Sequence, residues 1–253
     1  MKWIVVDDYN DLSERAAAKF LEAIDSDPRC VLLLPTGSTP EGMYRGIVSA
    51  CRTRYRCFQD VTTFNLDEYV GIPSDHPSSY RSYMNDRLFR HVDIDPSRIQ
   101  IPEGMAESVR RENPSLSLDE ALDLECARYE MQITRAGGIG LALLGMGRNG
   151  HIGFNEPGSP FDSRTRVVTL DESTRVANAP FFPAGDVPRR AVTAGIATIL
   201  SARSIVLMAA GEAKAPAIQR LAGGIPNPEF PASALIHHDD VTVIVDRAAN
   251  SRG

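Results

Sequence analysis

Residues 30–44, CVLLLPTGSTPEGMY, pass from a run of aliphatic side chains through a glycine-bearing turn into a helical pattern. An unbroken apolar run of this length reads as a strand buried on both faces, because a half-exposed strand would alternate polar with apolar residues. Gly37 lets the backbone turn sharply, Ser38 and Thr39 supply hydroxyls, and Pro40 suits a first helical turn, where no N–H is needed. A strand running directly into a helix is the repeating unit of a parallel sheet.

The same order recurs along the chain. Apolar runs at 3–6 (WIVV), 61–64 (VTTF), 139–145 (IGLALLG), 204–210 (SIVLMAA) and 241–245 (VTVIV) read as further buried strands. Amphipathic helical patterns cover 12–24, 39–54, 78–92, 118–137 and 211–223. Strand–helix alternation predicts an α/β fold with a largely parallel, Rossmann-like sheet covered by helices on both faces. Ligands of such sheets bind beyond the carboxyl ends of the strands. No repeat, low-complexity tract or linker divides the 253 residues, so a single domain over 1–253 is expected. The stretch at about 157–188 differs, being rich in Pro, Arg and Ser with the pair Phe181–Phe182. It reads as a long excursion and a candidate lid, with a fixed surface decoration as the plainer alternative.

Composition narrows the partners. With 43% hydrophobic and 24% charged residues the chain is ordinary for a globular protein. A net charge of −6 argues against bulk attraction to nucleic acid or an anionic membrane, while leaving room for a local basic pocket. Cys30, Cys51, Cys57 and Cys126 form no C-x-x-C pair and no His cluster accompanies them, so no metal site is expected and the thiols are expected to be reduced. The apolar stretch at the start is too short for a signal peptide or a membrane span, and a cytoplasmic location is expected. Only three of the 27 basic residues are lysines, Lys2, Lys19 and Lys214.

Four strand ends carry chemistry. After the second strand, Gly37, Ser38 and Thr39 at a helix start offer free backbone N–H groups and a positive dipole end, a seat for phosphate. The Walker A spacing is absent, and the plainer reading is a hydroxyl helix cap. After the third strand come Asp67 and Glu68. Extended backbone turns neighbouring side chains apart, so Asp67 is the candidate general base and Glu68 a supporting group or structural partner; a cap or solvated turn is the alternative. At 143–158, LLGMGRNGHIGFNEPG, glycines surround His151, and imidazole is the side chain suited to proton transfer near neutral pH. If that loop folds back, Asn149 and Glu156 both reach the ring and fix its tautomer. Gly145, Gly147 and Gly150 complete a G-x-G-x-x-G spacing, but Pro157 follows and no helix begins there, so no dinucleotide site is read. Finally, Lys214 follows the strand at 204–210, in a first helical turn where a bound anion would offset the unfavourable dipole.

In this order, LPTGSTPEGMY, TFNLDEYVGIPSDHPSSY, GRNGHIGFNEPGSPFDSRTR, STRVAN and GEAKA resemble the glucosamine-6-phosphate deaminase family, also called glucosamine-6-phosphate isomerases, over nearly the whole chain. The resemblance implies a three-layer α/β/α fold, an amino-sugar phosphate substrate, and no metal or organic cofactor. It implies that Asp67 moves the C2 proton, that His151 with Asn149 and Glu156 opens the sugar ring, and that Gly37, Ser38, Thr39, Arg175 and Lys214 hold the 6-phosphate. It casts the segment from Glu156 to about Arg189 as the lid. Relatives include hexamers and smaller forms, so a homo-oligomer is among the expected partners. Some members have Asp where this chain has Asn149, which can orient His151 but carries no charge. Of the effector-binding residues of allosteric members, Ser159 and Arg166 match but Val168 stands in place of Lys, and the tail after Asp246 is short; weak or absent activation by N-acetylglucosamine 6-phosphate is expected. The nearer alternative is a deaminase or isomerase for galactosamine 6-phosphate, a substrate that differs in the configuration of one hydroxyl. The related 6-phosphogluconolactonases have Asp-Glu-Arg where this chain has Asp67-Glu68-Tyr69, and lack Phe154–Pro157. A sugar-phosphate sensor would need a DNA-binding segment and no Asp67.

Overall fold

A computed structural model describes residues 1–53, 57–182 and 186–251. Its strands are β1 (Lys2–Val6), β2 (Val31–Leu34), β3 (Thr62–Asn65), β4 (Asp67–Tyr69), β5 (Ile99–Gln100), β6 (Leu141–Gly145), β7 (Arg166–Thr169), β8 (Arg190–Thr193), β9 (Ser204–Ala209) and β10 (Val241–Asp246). Its helices are α1 (Tyr9–Ser26), α2 (Glu41–Cys51), α3 (Tyr80–Arg87), α4 (Glu107–Glu112), α5 (Leu118–Arg135), α6 (Glu172–Asn178), α7 (Ile196–Leu200) and α8 (Ala215–Ala222).

Seven strands form the central sheet in the order β1-β10-β9-β6-β2-β3-β5, and every neighbouring pair is parallel. All six apolar runs lie in it, with β5 added at one edge. Burial on both faces explains their unbroken apolarity. Leu32 and Leu34 of β2 point into a core shared with α1 and α2, whereas Val31 and Leu33 point into the opposite core with Tyr129 and Ile133 of α5. β6 repeats the division, with Leu141 and Leu143 on one side and Ala142 and Leu144 on the other. Local signals set the helix starts. Asp8 accepts from the amides of Asn10 and Asp11 at 2.7 and 3.0 Å, and Ser117 with Glu120 forms a capping box at the head of α5.

A second, three-stranded antiparallel sheet, β4-β8-β7, was not read from the sequence. Its strands have three or four residues, and β4 pairs with β8 across more than a hundred positions, so no local period reveals them. It takes in part of the candidate lid: β7 belongs to 157–188, as does the helix α6 that follows it, and residues 183–185 of that stretch lie outside the described residues. The expectation of reduced thiols is corrected at one pair. Cys51, closing α2, and Cys57 are joined in a disulfide, their Cα atoms 5.6 Å apart and so within its span, while Cys30 and Cys126 are free and buried. Among the described residues no helix is long and apolar enough to cross a membrane.

Candidate active site

The four strands whose ends carry chemistry are consecutive in the sheet, in the order β9-β6-β2-β3, so their following loops converge on one rim. The turn after β2 is fixed from below. Gly37 has φ +98°, a conformation that only glycine adopts without strain, and its carbonyl accepts from Tyr83 Oη of α3 at 2.6 Å. Tyr9 Oη donates to the carbonyls of Ser38 and Thr39 at 3.0 and 3.1 Å, and receives the amide of Gly42 at 2.9 Å. With the carbonyls engaged from behind, the turn is held in place from its protein side. A cavity of about 170 Å³ opens beside Gly37, lined also by Ser78, Tyr80, Tyr83, Asn178 and Phe181. The last two belong to the excursion.

Lys214 reaches the same rim from the loop after β9, its Nζ donating to the carbonyl of Met146 at 2.6 Å. Burial, aided by the charge of Arg148, holds its pKa below the ordinary lysine value. Arg175 is placed differently. Its guanidinium engages Glu172 Oε2 at 2.8 Å and the carbonyl of Val187 at 3.3 and 3.4 Å, so its bonds stay within the excursion.

Asp67 and Glu68 are both buried and, as alternation on β4 requires, do different things. Glu68 accepts from the amides of Tyr69, Tyr80 and Arg81 at 2.9, 2.9 and 3.0 Å, so it serves as a structural partner at the head of α3. Burial pushes its carboxyl up to about 7 against the pull of those amides. Asp67 faces the loop after β6: a Cβ placed on Gly153 would stand 3.5 Å from Asp67 Oδ2. Burial first, and the neighbouring Glu68 charge second, raise the Asp67 pKa well above the usual carboxylate range.

The loop after β6 does fold back. His151 Nδ1 lies 3.5 Å from Glu156 Oε2, an ion-pair contact looser than a well-formed hydrogen bond. The ring fits only because Gly147 has no side chain, since a Cβ there would stand 2.3 Å from His151 Cε1. Asn149 corrects the expectation that it meets the ring. Its Nδ2 donates to Glu156 Oε2 at 2.9 Å and its Oδ1 accepts the backbone amide of His151 at 3.2 Å, so it orders the carboxylate and the loop instead. Burial pushes Glu156 upward, but His151, Thr174 and Asn149 outweigh it and hold the carboxyl below its ordinary pKa.

Three participants escaped the sequence reading. Thr174 of α6 donates to Glu156 Oε1. Thr193 of β8, the register partner of Asp67, accepts the amide of Phe154 at 3.1 Å and so ties the His151 loop to β4. Asn155 spans Ile152 and Ala194 through Nδ2, at 2.9 Å each, and accepts from Arg166 at 2.8 Å. Arg166 also donates to Ser159 at 3.2 Å, so the two residues matching the effector set are bonded to each other. A hydroxyl or amide distant in sequence gives no local signal of such a contact. Among the described residues no group of three or more His, Cys, Asp or Glu side chains is arranged to hold a metal.

Known proteins resemble this chain over nearly its whole length. The family described as glucosamine-6-phosphate isomerases/6-phosphogluconolactonase matches residues 7–244. Glucosamine-6-phosphate deaminase 1 of Bacillus subtilis is 49% identical over 252 residues, covering 99% of both chains. The glucosamine-6-phosphate deaminase of Rhodopirellula baltica is 50% identical over 248 residues, 98% of this chain and 94% of that one. A solved structure described as a monomeric glucosamine-6-phosphate deaminase superposes with a TM-score of 0.91 at 48% identity, covering 99% of each chain. A likeness of this extent spans nearly the whole chain, and the chain belongs to the glucosamine-6-phosphate isomerase/6-phosphogluconolactonase family.

Proposed function

We propose that this protein is a glucosamine-6-phosphate deaminase, converting glucosamine 6-phosphate and water into fructose 6-phosphate and ammonia. The observation that carries the reading is the pairing of two acid–base groups on one rim: His151 against Glu156, and Asp67, a buried carboxyl of raised pKa, on β4. The substrate is a closed ring, so a group titrating near neutrality must move a proton between ring oxygen and anomeric hydroxyl. His151 performs that transfer, and the Glu156 carboxylate 3.5 Å away stabilises the imidazolium. The resulting aldehyde acidifies the C2 proton. Asp67 takes it and delivers it to C1, leaving an imine at C2; water adds there and ammonia departs. A carboxyl whose pKa is raised by burial is a stronger base towards the C2 proton and gives that proton up to C1 from the same position. The steps are proton transfers and addition of water, and they ask for no metal or organic cofactor.

Gly37, Ser38, Thr39 and Lys214 hold the 6-phosphate, whose binding energy orients the remote reacting carbons. The excursion at 157–188 acts as the lid, supported by Asn178 and Phe181 lining the cavity beside Gly37. Arg175 joins the phosphate set when its guanidinium exchanges Glu172 and the carbonyl of Val187, both on its own excursion, for the phosphate. The whole chain works as one catalytic unit, and every group named comes from one copy, so monomer and homo-oligomer alike accommodate the site. A phosphorylated sugar substrate places the reaction in the cytoplasm; the Cys51–Cys57 disulfide is the feature more at home in an oxidising compartment.

The test is ammonia release from glucosamine 6-phosphate by the purified protein without added metal, beside Asp67→Asn. Release by the wild type and its loss in the variant are expected. Turnover of galactosamine 6-phosphate or of 6-phosphogluconolactone instead would overturn the substrate.

A further inference from the structure

Glu156 is held from two directions. Asn149 donates to Oε2 from its own loop, and Thr174 donates to Oε1 from α6. Thr174 is the only residue of α6 that is buried, while Val176 two positions later is 63% exposed. A helix docked by the hydrophobic effect would turn its valine inward and its threonine out. Here the order is inverted: apolar packing is supplied by the flanking Leu170 and Phe182, and within α6 itself the buried anchor is the hydroxyl-to-carboxylate contact. That contact ends on the carboxylate that faces His151 Nδ1.

We propose that Thr174 is a positioning residue for the His151–Glu156 pair: carried by the excursion, its hydroxyl sets the orientation of the Glu156 carboxylate, and the pair is complete only while α6 is docked. A carboxylate with a donor on each oxygen cannot rotate about its terminal bond, so Oε2 stays aimed at the ring. The charged groups facing Glu156 are His151 from its own loop and Asp171 from the start of α6. Asp171 and burial both favour the protonated acid, whereas His151, Asn149 and Thr174 favour the carboxylate. Removing the Thr174 hydroxyl therefore frees the carboxyl and raises its pKa. The kinetic side of this proposal rests on the deaminase reading; the structural side does not.

The test compares Thr174→Val, which keeps the shape and removes the hydroxyl, with Thr174→Ser, which keeps the hydroxyl. In the free protein, the NMR titration of the His151 ring reports Glu156 as an inflection at acid pH. Thr174→Val is expected to move that inflection up by about half a unit to one unit, the size of one lost hydrogen bond, and Thr174→Ser to return it. With glucosamine 6-phosphate, Thr174→Val is expected to lower kcat about tenfold with KM little changed, as loss of orientation does. An inflection in Thr174→Val that superimposes on the wild type, or no recovery in Thr174→Ser, would overturn the proposal. A shifted inflection in a protein that releases no ammonia would support the positioning role and overturn the proposed reaction. Should Thr174→Val fail to fold, Thr174→Ala carries the same titration.

Discussion

Asp67 and Gly153 face each other across the rim so closely that a Cβ on Gly153 would stand 3.5 Å from Asp67 Oδ2 and 3.0 Å from Thr193 Oγ1. The loop bearing His151 therefore closes directly over the carboxyl on β4, and a Cβ at Gly153 would touch Asp67 and press on Thr193. Gly153 also has φ +57°, which costs an L side chain about 1–2 kcal/mol. Gly153→Ala is expected to lose that much stability and to lower kcat/KM at least tenfold, read by thermal melting and initial rates. A variant of wild-type kcat/KM would show that the space beside Asp67 is not used.

Asp67 makes a prediction of opposite sign for stability and activity. Its folded pKa is raised, so between its ordinary value and the raised one the folded state binds more protons than the unfolded. Stability contributed by this group is then lost as pH rises through that window. Asp67→Asn should therefore melt higher than the wild type at pH 7–8, the gap closing towards pH 4, with about 2–4 °C for each kcal/mol. Its kcat should fall about 10²–10⁴-fold. Equal melting temperatures across that range would mean that burial of Asp67 carries no cost.

Glu68→Ala leaves the amides at the head of α3 without their shared acceptor, a loss of about 1–3 kcal/mol. Because α3 also presents Tyr83 to the carbonyl of Gly37, KM is expected to rise more than kcat falls. Thermal melting and a kcat-against-KM comparison check the two halves. An unchanged KM in a destabilised protein would sever the link between α3 and the phosphate turn.

Lys214→Gln removes the cation from the rim while keeping a donor for Met146. Loss of one charge-assisted bond to phosphate corresponds to about a 10- to 100-fold rise in KM, with kcat less affected. Inorganic phosphate should inhibit the wild type competitively and the variant weakly. A variant as sensitive to phosphate as the wild type would remove Lys214 from the site.

The sheet was legible because burial on both faces leaves an unambiguous mark: β2, β6, β9 and β10 are nearly continuous aliphatic runs. Asp67, His151, Glu156 and Lys214 stood out since each is a polar or charged side chain in the segment that follows a buried strand. The second sheet left no mark, as β7 is half-exposed and pairs through β8 with β4, far away in sequence. Thr174 and Thr193 were silent for the same reason, since a hydroxyl gains its meaning only from what the fold sets opposite it. Asn149 turns to Glu156 and not to the ring, because nearness in sequence does not say which way a side chain points.

The neighbour of the candidate base also fixes the far end of the site. Glu68 holds the head of α3, and three residues into that helix Tyr83 grips Gly37, so one carboxylate, one helical turn and one phenol set the span between base and phosphate turn. That span works as a ruler. An amino-sugar phosphate one carbon shorter would seat its phosphate and leave C2 short of Asp67, and the sign of it would be competitive inhibition without turnover. Selection by length would then be separate from selection by the configuration of any hydroxyl.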